Sequence, residues 1–149
     1  MDRPSRPYTG TVPRVGAEKR SGQRRKLLII DDDRAFIVLA AAILRDAGFL
    51  VLEAHDARQG YLDARQDPPD IILLDMQMPA GGGMNVLEQV QTIPRLQQVP
   101  IVVITASTDE SLDASVTAKG ALGVLRKPID RDRLLALVNS ILEQAPPQS

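Results

Sequence analysis

The sequence predicts an α/β fold, a five-stranded parallel sheet that is doubly wound, with helices on both faces. Three observations carry this. Short runs of consecutive apolar residues recur at 27–30, 71–74 and 101–104, and a strand covered on both faces needs apolar side chains at every position. Longer segments between them space their apolar residues as helices do. The strand–helix alternation repeats five times along the chain, and such units assemble as parallel strands joined by crossovers.

Each element has its own local reason. Leu27, Leu28, Ile29 and Ile30 form the first strand. Residues 34–46 place Phe36, Leu39, Ala40, Ile43, Leu44 and Ala47 at helical spacing, and Gly48 supplies the stop. A second strand follows at 49–53, and Asp56 caps a helix from Ala57 to about Arg65. Pro68 and Pro69 break the chain before a third strand at 71–74. Residues 79–83 read as a Pro/Gly loop, and 84–92 as a helix with Met84, Leu87, Val90 and Gln91 on one side. Pro100 opens the fourth strand, 101–104, and a Ser/Thr/Ala-rich helix at 109–118 ends near Gly120. Val124 and Leu125 mark the fifth strand. The last helix, from about Asp130 to Glu143, buries Leu134, Leu135, Leu137, Val138, Ile141 and Leu142 before Pro146 and Pro147 stop it.

Composition narrows the function. A length of 149 residues suits one domain with some tail. Aromatics make up only 3%, so the core is aliphatic and platforms for stacking nucleic-acid bases are scarce. Without Cys there are no disulfides and no thiolate metal sites. No uninterrupted apolar run, that containing 37–44 included, is long enough to cross a bilayer, and no apolar signal segment opens the chain. A cytoplasmic location with no membrane contact is therefore expected. Residues 1–26 hold eight bases against Asp2 and Glu18, a net +6, while the rest of the chain holds ten bases and seventeen acids, a net −7. The division expected is a disordered basic arm at 1–25, a domain at 26–144 and a tail at 145–149.

In parallel sheets, ligands bind beyond the carboxyl ends of the strands. Strand one is followed by Asp31, Asp32 and Asp33, strand three by Asp75, strand four by Thr105, and strand five by Arg126, Lys127 and Pro128. Taken singly these have ordinary readings: a turn-forming or capping Asp, a hydroxyl bonded to nearby backbone, a solvated Lys. Asp33 itself reads as the cap of the first helix. Together, four strand ends bring complementary charge to one edge. Two carboxylates about 4 Å apart repel by about 4 kcal/mol at an effective dielectric near 20. A hard divalent cation offsets that repulsion, and Mg²⁺ suits a site with few carboxylates and room for water and phosphate oxygens.

The strings LLIIDDDRAF, DIILLDMQMPAGGG, PIVVITAS and GVLRKP resemble, in order and spacing, the four signature segments of bacterial response-regulator receiver domains. The resemblance covers roughly Lys26 to Glu143 and is chemotaxis-regulator-like. It implies a flavodoxin-like sheet of strand order 2-1-3-4-5. It further implies a stand-alone two-component module, not an enzyme acting on other substrates, that is phosphorylated on Asp75. Asp32 would bind Mg²⁺ directly and Asp31 largely through water, with Asp75 and the Gln77 backbone carbonyl completing the protein ligands. Thr105 would hydrogen-bond the phosphoryl group, Lys127 would pair with one of its oxygens, and Lys127–Pro128 would be cis. The implied donor is a histidine kinase or histidine phosphotransfer protein, and the implied output is contact with a downstream protein. A homodimer is left open.

Two positions depart from the family pattern. Val124 stands where members carry a Tyr or Phe that swings inward on activation, and Gly81, Gly82 and Gly83 replace bulky and acidic residues, so that loop is expected to be mobile. Rival readings fit less well. A phosphatase of the haloacid-dehalogenase type would use Asp31 and Asp33 but leaves Asp75 and Lys127 unexplained. A flavin carrier would not put three Asp beside a phosphate. A nucleic-acid role for the arm lacks a recognisable motif.

Overall fold

Apolar runs become strands and amphipathic segments become helices throughout the computed structural model, which describes residues 17–19 and 22–144. The elements are β1 (Lys26–Ile30), α1 (Arg34–Asp46), β2 (Leu50–Ala54), α2 (Ala57–Gln66), β3 (Ile71–Asp75), α3 (Gly82–Val90), β4 (Ile101–Thr105), α4 (Glu110–Ala118), β5 (Gly123–Arg126) and α5 (Arg131–Gln144). Single 3₁₀ turns at Pro79–Gly81 and Pro94–Leu96 flank α3. All neighbouring strands are parallel, in the order β2-β1-β3-β4-β5. That is the order the resemblance implied.

The continuous apolar runs are explained by two cores. Leu27, Ile29, Ile71, Leu73, Val102 and Ile104 face one side, with α1 and α5. Leu28, Ile30, Ile72, Leu74, Ile101 and Val103 face the other, with α2, α3 and Val116 of α4. Alternate residues of one strand thus feed opposite layers. Each fully buried Leu or Ile contributes about 1.5–3 kcal/mol from removal of its surface from water. Helix entries are fixed by carboxylates: Asp33 accepts from Phe36 N at 3.1 Å, Asp56 from Gln59 N at 2.8 Å and Asp109 from Ser111 N at 2.9 Å. Each such cap is worth about 1 kcal/mol.

Three features differ from the sequence expectation. On α1 the buried stripe is Phe36, Ile37, Ala40, Ala41 and Leu44, while Leu39 is 50% and Val38 70% exposed. An unbroken apolar run has no polar side to announce which face turns outward. The glycine segment is not a free loop. Gly82 and Gly83 begin α3 and are buried. A Cβ on Gly83 would lie 2.4 Å from the Asp75 carbonyl oxygen and 2.6 Å from Met76 Cα. Glycine is required there by close approach rather than mobility. The turn before it carries the strain instead, with Ala80 at φ 58° and Gly81 at φ 69°.

Folded structure also starts ahead of residue 26. Residues 17–19 pair antiparallel with 22–25: Arg25 N donates to Ala17 O at 2.6 Å, Lys19 N donates to Gln23 O at 2.7 Å, and Ala17 is buried. The Arg24 guanidinium donates to Gly48 O and Phe49 O at 2.7 and 3.2 Å, and Lys19 Nζ lies 3.4 Å from buried Asp70. This hairpin closes the amino ends of β1, β2 and β3, opposite the acidic edge. The remainder of the expected arm, 1–16 and 20–21, and the tail 145–149 lie outside the described residues.

A chain beginning at Lys26 should be about 2 kcal/mol less stable in urea unfolding than one beginning at Ala17, from the lost guanidinium bonds and ion pair. Equal midpoints would remove the hairpin from the folded unit. Ala80→Gly should add about 1 kcal/mol by relieving left-handed backbone, whereas Gly83→Ala should lose about 1–3 kcal/mol by overpacking against β3.

Candidate functional site

The acidic edge is a consequence of strand order. β1 and β3 are neighbours with Ile30 in register with Leu74, so the next residues, Asp31 and Asp75, emerge side by side. Backbone bonds hold both: Asp31 N donates to Ala54 O at 3.0 Å and Met76 N to Ile104 O at 3.1 Å. Asp31 is 0% and Asp75 2% exposed, while Asp32 is open to solvent. One carboxylate oxygen from each of Asp31, Asp32 and Asp75 lies within 4.8 Å of the others. β4 adds buried Thr105 at its end, and β5 brings Lys127, whose N–H donates to Thr105 O at 2.9 Å. Lys127–Pro128 is cis. The five side chains that the sequence singled out as Asp31, Asp32, Asp75, Thr105 and Lys127 are thereby gathered at one strand-end edge.

Lys127 compensates the buried charge. Its Nζ lies 2.8 Å from Asp31 Oδ2 and 3.7 Å from Asp33, and 4.6 Å from the centroid of the Phe36 ring. Apart from that ion pair, the buried Asp31 Oδ2 has no hydrogen-bond partner among the described residues. Asp31 Oδ1 accepts from Asp33 N at 2.8 Å. Burial pushes the Asp75 carboxyl up from 3.8 to about 6; the Gln77 N–H opposes this, and the charge of Asp31 adds to it. Burial alone would lower the Lys127 ammonium, but Asp31, Asp75 and Asp33 outweigh it and its pKa rises above the ordinary value.

The other groups form a rim. Gln77 N donates to Asp75 Oδ1 at 3.0 Å, and the Gln77 side-chain Oε1 accepts from Ala106 N at 2.8 Å, so this residue bridges the loops after β3 and β4. Thr105 Oγ1 accepts from Ser107 N at 3.0 Å, which leaves its own hydrogen available to a further acceptor. The side-chain bridge of Gln77 is additional to the carbonyl ligand role that the resemblance implies. Sequence reasoning missed the Phe36 ring beside Lys127; the one available signal was its place three residues after the capping Asp33.

Fold and edge together define a doubly wound α/β module of the receiver class. The chain belongs to the response regulator receiver domain family, whose pattern matches residues 27–139. It is similar to the protein PilH of Pseudomonas aeruginosa, 30% identical over 117 residues, covering 78% of this chain and 97% of that protein. The transcriptional regulatory protein CpxR of Escherichia coli is 33% identical over 120 residues, but this chain spans only 50% of its length. The crystal structure of the chemotaxis response regulator CheY4 of Vibrio cholerae superimposes with a TM-score of 0.75 at 28% identity, covering 80% of this chain and 99% of that one. No helix among the described residues is long and apolar enough to cross a membrane.

The raised Asp75 pKa fixes the sign of a pH dependence. Its folded value is about 6, against about 3.9 in an unfolded chain. Between those values the folded protein holds a proton that the unfolded chain has released, so stability falls as pH rises from about 4 to about 6. The loss is on the order of 3 kcal/mol, at 1.36 kcal/mol per unit. Urea unfolding without divalent cations should show this decline in the wild type and a flatter profile in Asp75→Asn. Parallel profiles would contradict the assignment.

Proposed function

We propose that the chain accepts a phosphoryl group on Asp75 in a Mg²⁺-dependent reaction and signals by conformational change and contact with a downstream protein. The donor is a histidine kinase or a histidine phosphotransfer protein, and the setting is the cytoplasm. The observation that carries this reading is the convergence of Asp31, Asp32 and Asp75 within 4.8 Å, with the Lys127 ammonium 2.8 Å from Asp31. Family membership supports it.

The donor set fits a hard cation: carboxylate oxygens, one solvent-open residue, and a buried Asp31 Oδ2 whose partner is the Lys127 ammonium. Asp32 would hold the ion directly, Asp31 largely through water, and Asp75 and the Gln77 carbonyl would complete its protein ligands. Bound there, Mg²⁺ supplies neutralising charge for the carboxylates and the incoming phosphoryl oxygens.

The remaining work belongs to the chain. Gln77 N fixes Asp75 Oδ1, leaving Oδ2 as the nucleophile. It bonds to phosphorus as the donor's N–P bond breaks, and the bonding pair returns to the imidazole nitrogen. Lys127 exchanges its Asp31 contact for a phosphoryl oxygen, and the Thr105 hydroxyl donates to another. Orientation on rigid strand ends supplies alignment, the larger part of what phosphoryl transfer needs from a protein. The acyl phosphate then hydrolyses and restores the carboxylate, so the mark is transient and no separate substrate is turned over.

Acetyl phosphate with Mg²⁺ should add one phosphoryl group to the wild type by intact mass, and none to Asp75→Asn. Equal labelling of the two proteins would move the acceptor elsewhere. In calorimetric titration Asp32→Ala should lose about tenfold or more in Mg²⁺ affinity, a loss of the size removal of site residues commonly brings. An unchanged isotherm would place the ion at another site.

A further inference from the structure

Strand β5 ends by sending two cations to different destinations. Successive side chains on a strand point to opposite faces. Lys127, just past the strand, reaches the acidic edge. Arg126, its last residue, reaches α4 instead, with Nη2 2.8 and 2.7 Å from the two carboxylate oxygens of Asp113. Arg126 is in register with Thr105 on β4, and the next amide, Lys127 N, donates to Thr105 O at 2.9 Å. One short piece of backbone therefore carries the residue facing the acceptor site and the residue holding α4.

α4 is otherwise held by a small apolar contact and by its C-cap, where Lys119 Nζ lies 2.7 Å from Glu88 of α3. Val116 is the one residue it buries fully, with Leu112 partly buried against the same core. Beside it lies a groove of about 620 Å³ whose floor includes Val124 and Leu137 and whose wall on the α4 side is the Arg126–Asp113 pair. Val124 is too small and too constrained at χ1 to carry a large rotation. The charge pair joins α4 to β5, beside a second route at the helix entry, where Ser107 N donates to Thr105 Oγ1 at 3.0 Å and Ser107 Oγ accepts from Asp109 N at 3.1 Å.

We propose that the Arg126–Asp113 ion pair is a latch that holds α4 against β5 in the resting protein and is released when Lys127 moves from Asp31 to a phosphoryl group on Asp75. This rests on the function proposed above. Displacement of Lys127 shifts the peptide it shares with Arg126, degrades the two-oxygen contact and frees α4. Coupling of this kind is reciprocal: if occupancy of the site weakens the latch, breaking the latch must strengthen occupancy.

The test uses Asp113→Asn, which leaves the acidic edge intact, with beryllofluoride and Mg²⁺ as the phosphoryl mimic. In the resting protein, amide exchange across residues 110–118 should be about tenfold faster than in the wild type. Beryllofluoride should accelerate those amides about tenfold in the wild type and hardly at all in the variant. The variant should bind the mimic about threefold tighter by fluorine NMR titration, an effect that a merely structural contact does not produce. The exchanged pair, Asp113→Arg with Arg126→Asp, should return resting exchange and affinity toward wild type. Unchanged resting exchange in Asp113→Asn, an undiminished response to the mimic, or an unchanged affinity would each overturn the latch. If the wild type binds no beryllofluoride, the assignment of Asp75 fails and release fails with it, whereas resting exchange still decides whether the pair holds α4.

Discussion

Two carboxylates held out of water at adjacent strand ends are the constraint around which the molecule is arranged. Asp31 and Asp75 are almost wholly buried, and their separation is set by β1–β3 pairing rather than by anything the side chains choose. Burying like charges together is unfavourable unless a counter-charge is buried with them. Lys127 answers that need, with Phe36 beside it as an aromatic platform and with the β4–β5 register to place it. Burial still pushes the Asp75 carboxyl up to about 6, with the charge of Asp31 adding to it. Strain kept at such a place is maintained by the well-packed sheet around it.

The sheet can maintain it because it is closed on both faces. β3 and β4 bury every residue and β1 every residue but Lys26, and all three feed two cores alternately, so a strand cannot slide without moving apolar side chains to the wrong layer. The backbone atoms at the acidic edge inherit that rigidity. Gly83 extends it to the loop after β3, where α3 lies so close to the Asp75 carbonyl that a methyl group has no room. Glycine there tightens the site instead of loosening it.

What was legible in the sequence follows the same division. Strands buried on both faces announce themselves as unbroken apolar runs, and residues at their carboxyl ends are placed by strand order alone. The fold and the grouping of Asp31, Asp32, Asp75, Thr105 and Lys127 could therefore be read directly. Contacts that depend on side-chain reach or on approach between backbones left no periodic trace. The outward face of α1 was hidden because its apolar run has no polar side. The role of Gly83 was hidden because permissive φ and absence of Cβ look alike in a sequence. The Gln77 bridge to Ala106 and the hairpin at 17–25 join residues whose proximity only the folded chain creates.

The replacement of a ring by Val124 changes the kind of energy through which the two ends of the molecule communicate. A ring that turns inward exchanges apolar surface between water and core, a difference that added salt hardly weakens. A charge pair about one-third exposed on each side, such as Arg126–Asp113, gives a smaller difference that ions screen. The shift an effector can impose is bounded by its differential interaction with the two arrangements. Coupling through charge is thus weaker, and more sensitive to salt, than coupling through a buried ring. It also ties the behaviour of α4 to Lys127, the group that the buried carboxylates oblige the chain to keep at its acidic edge.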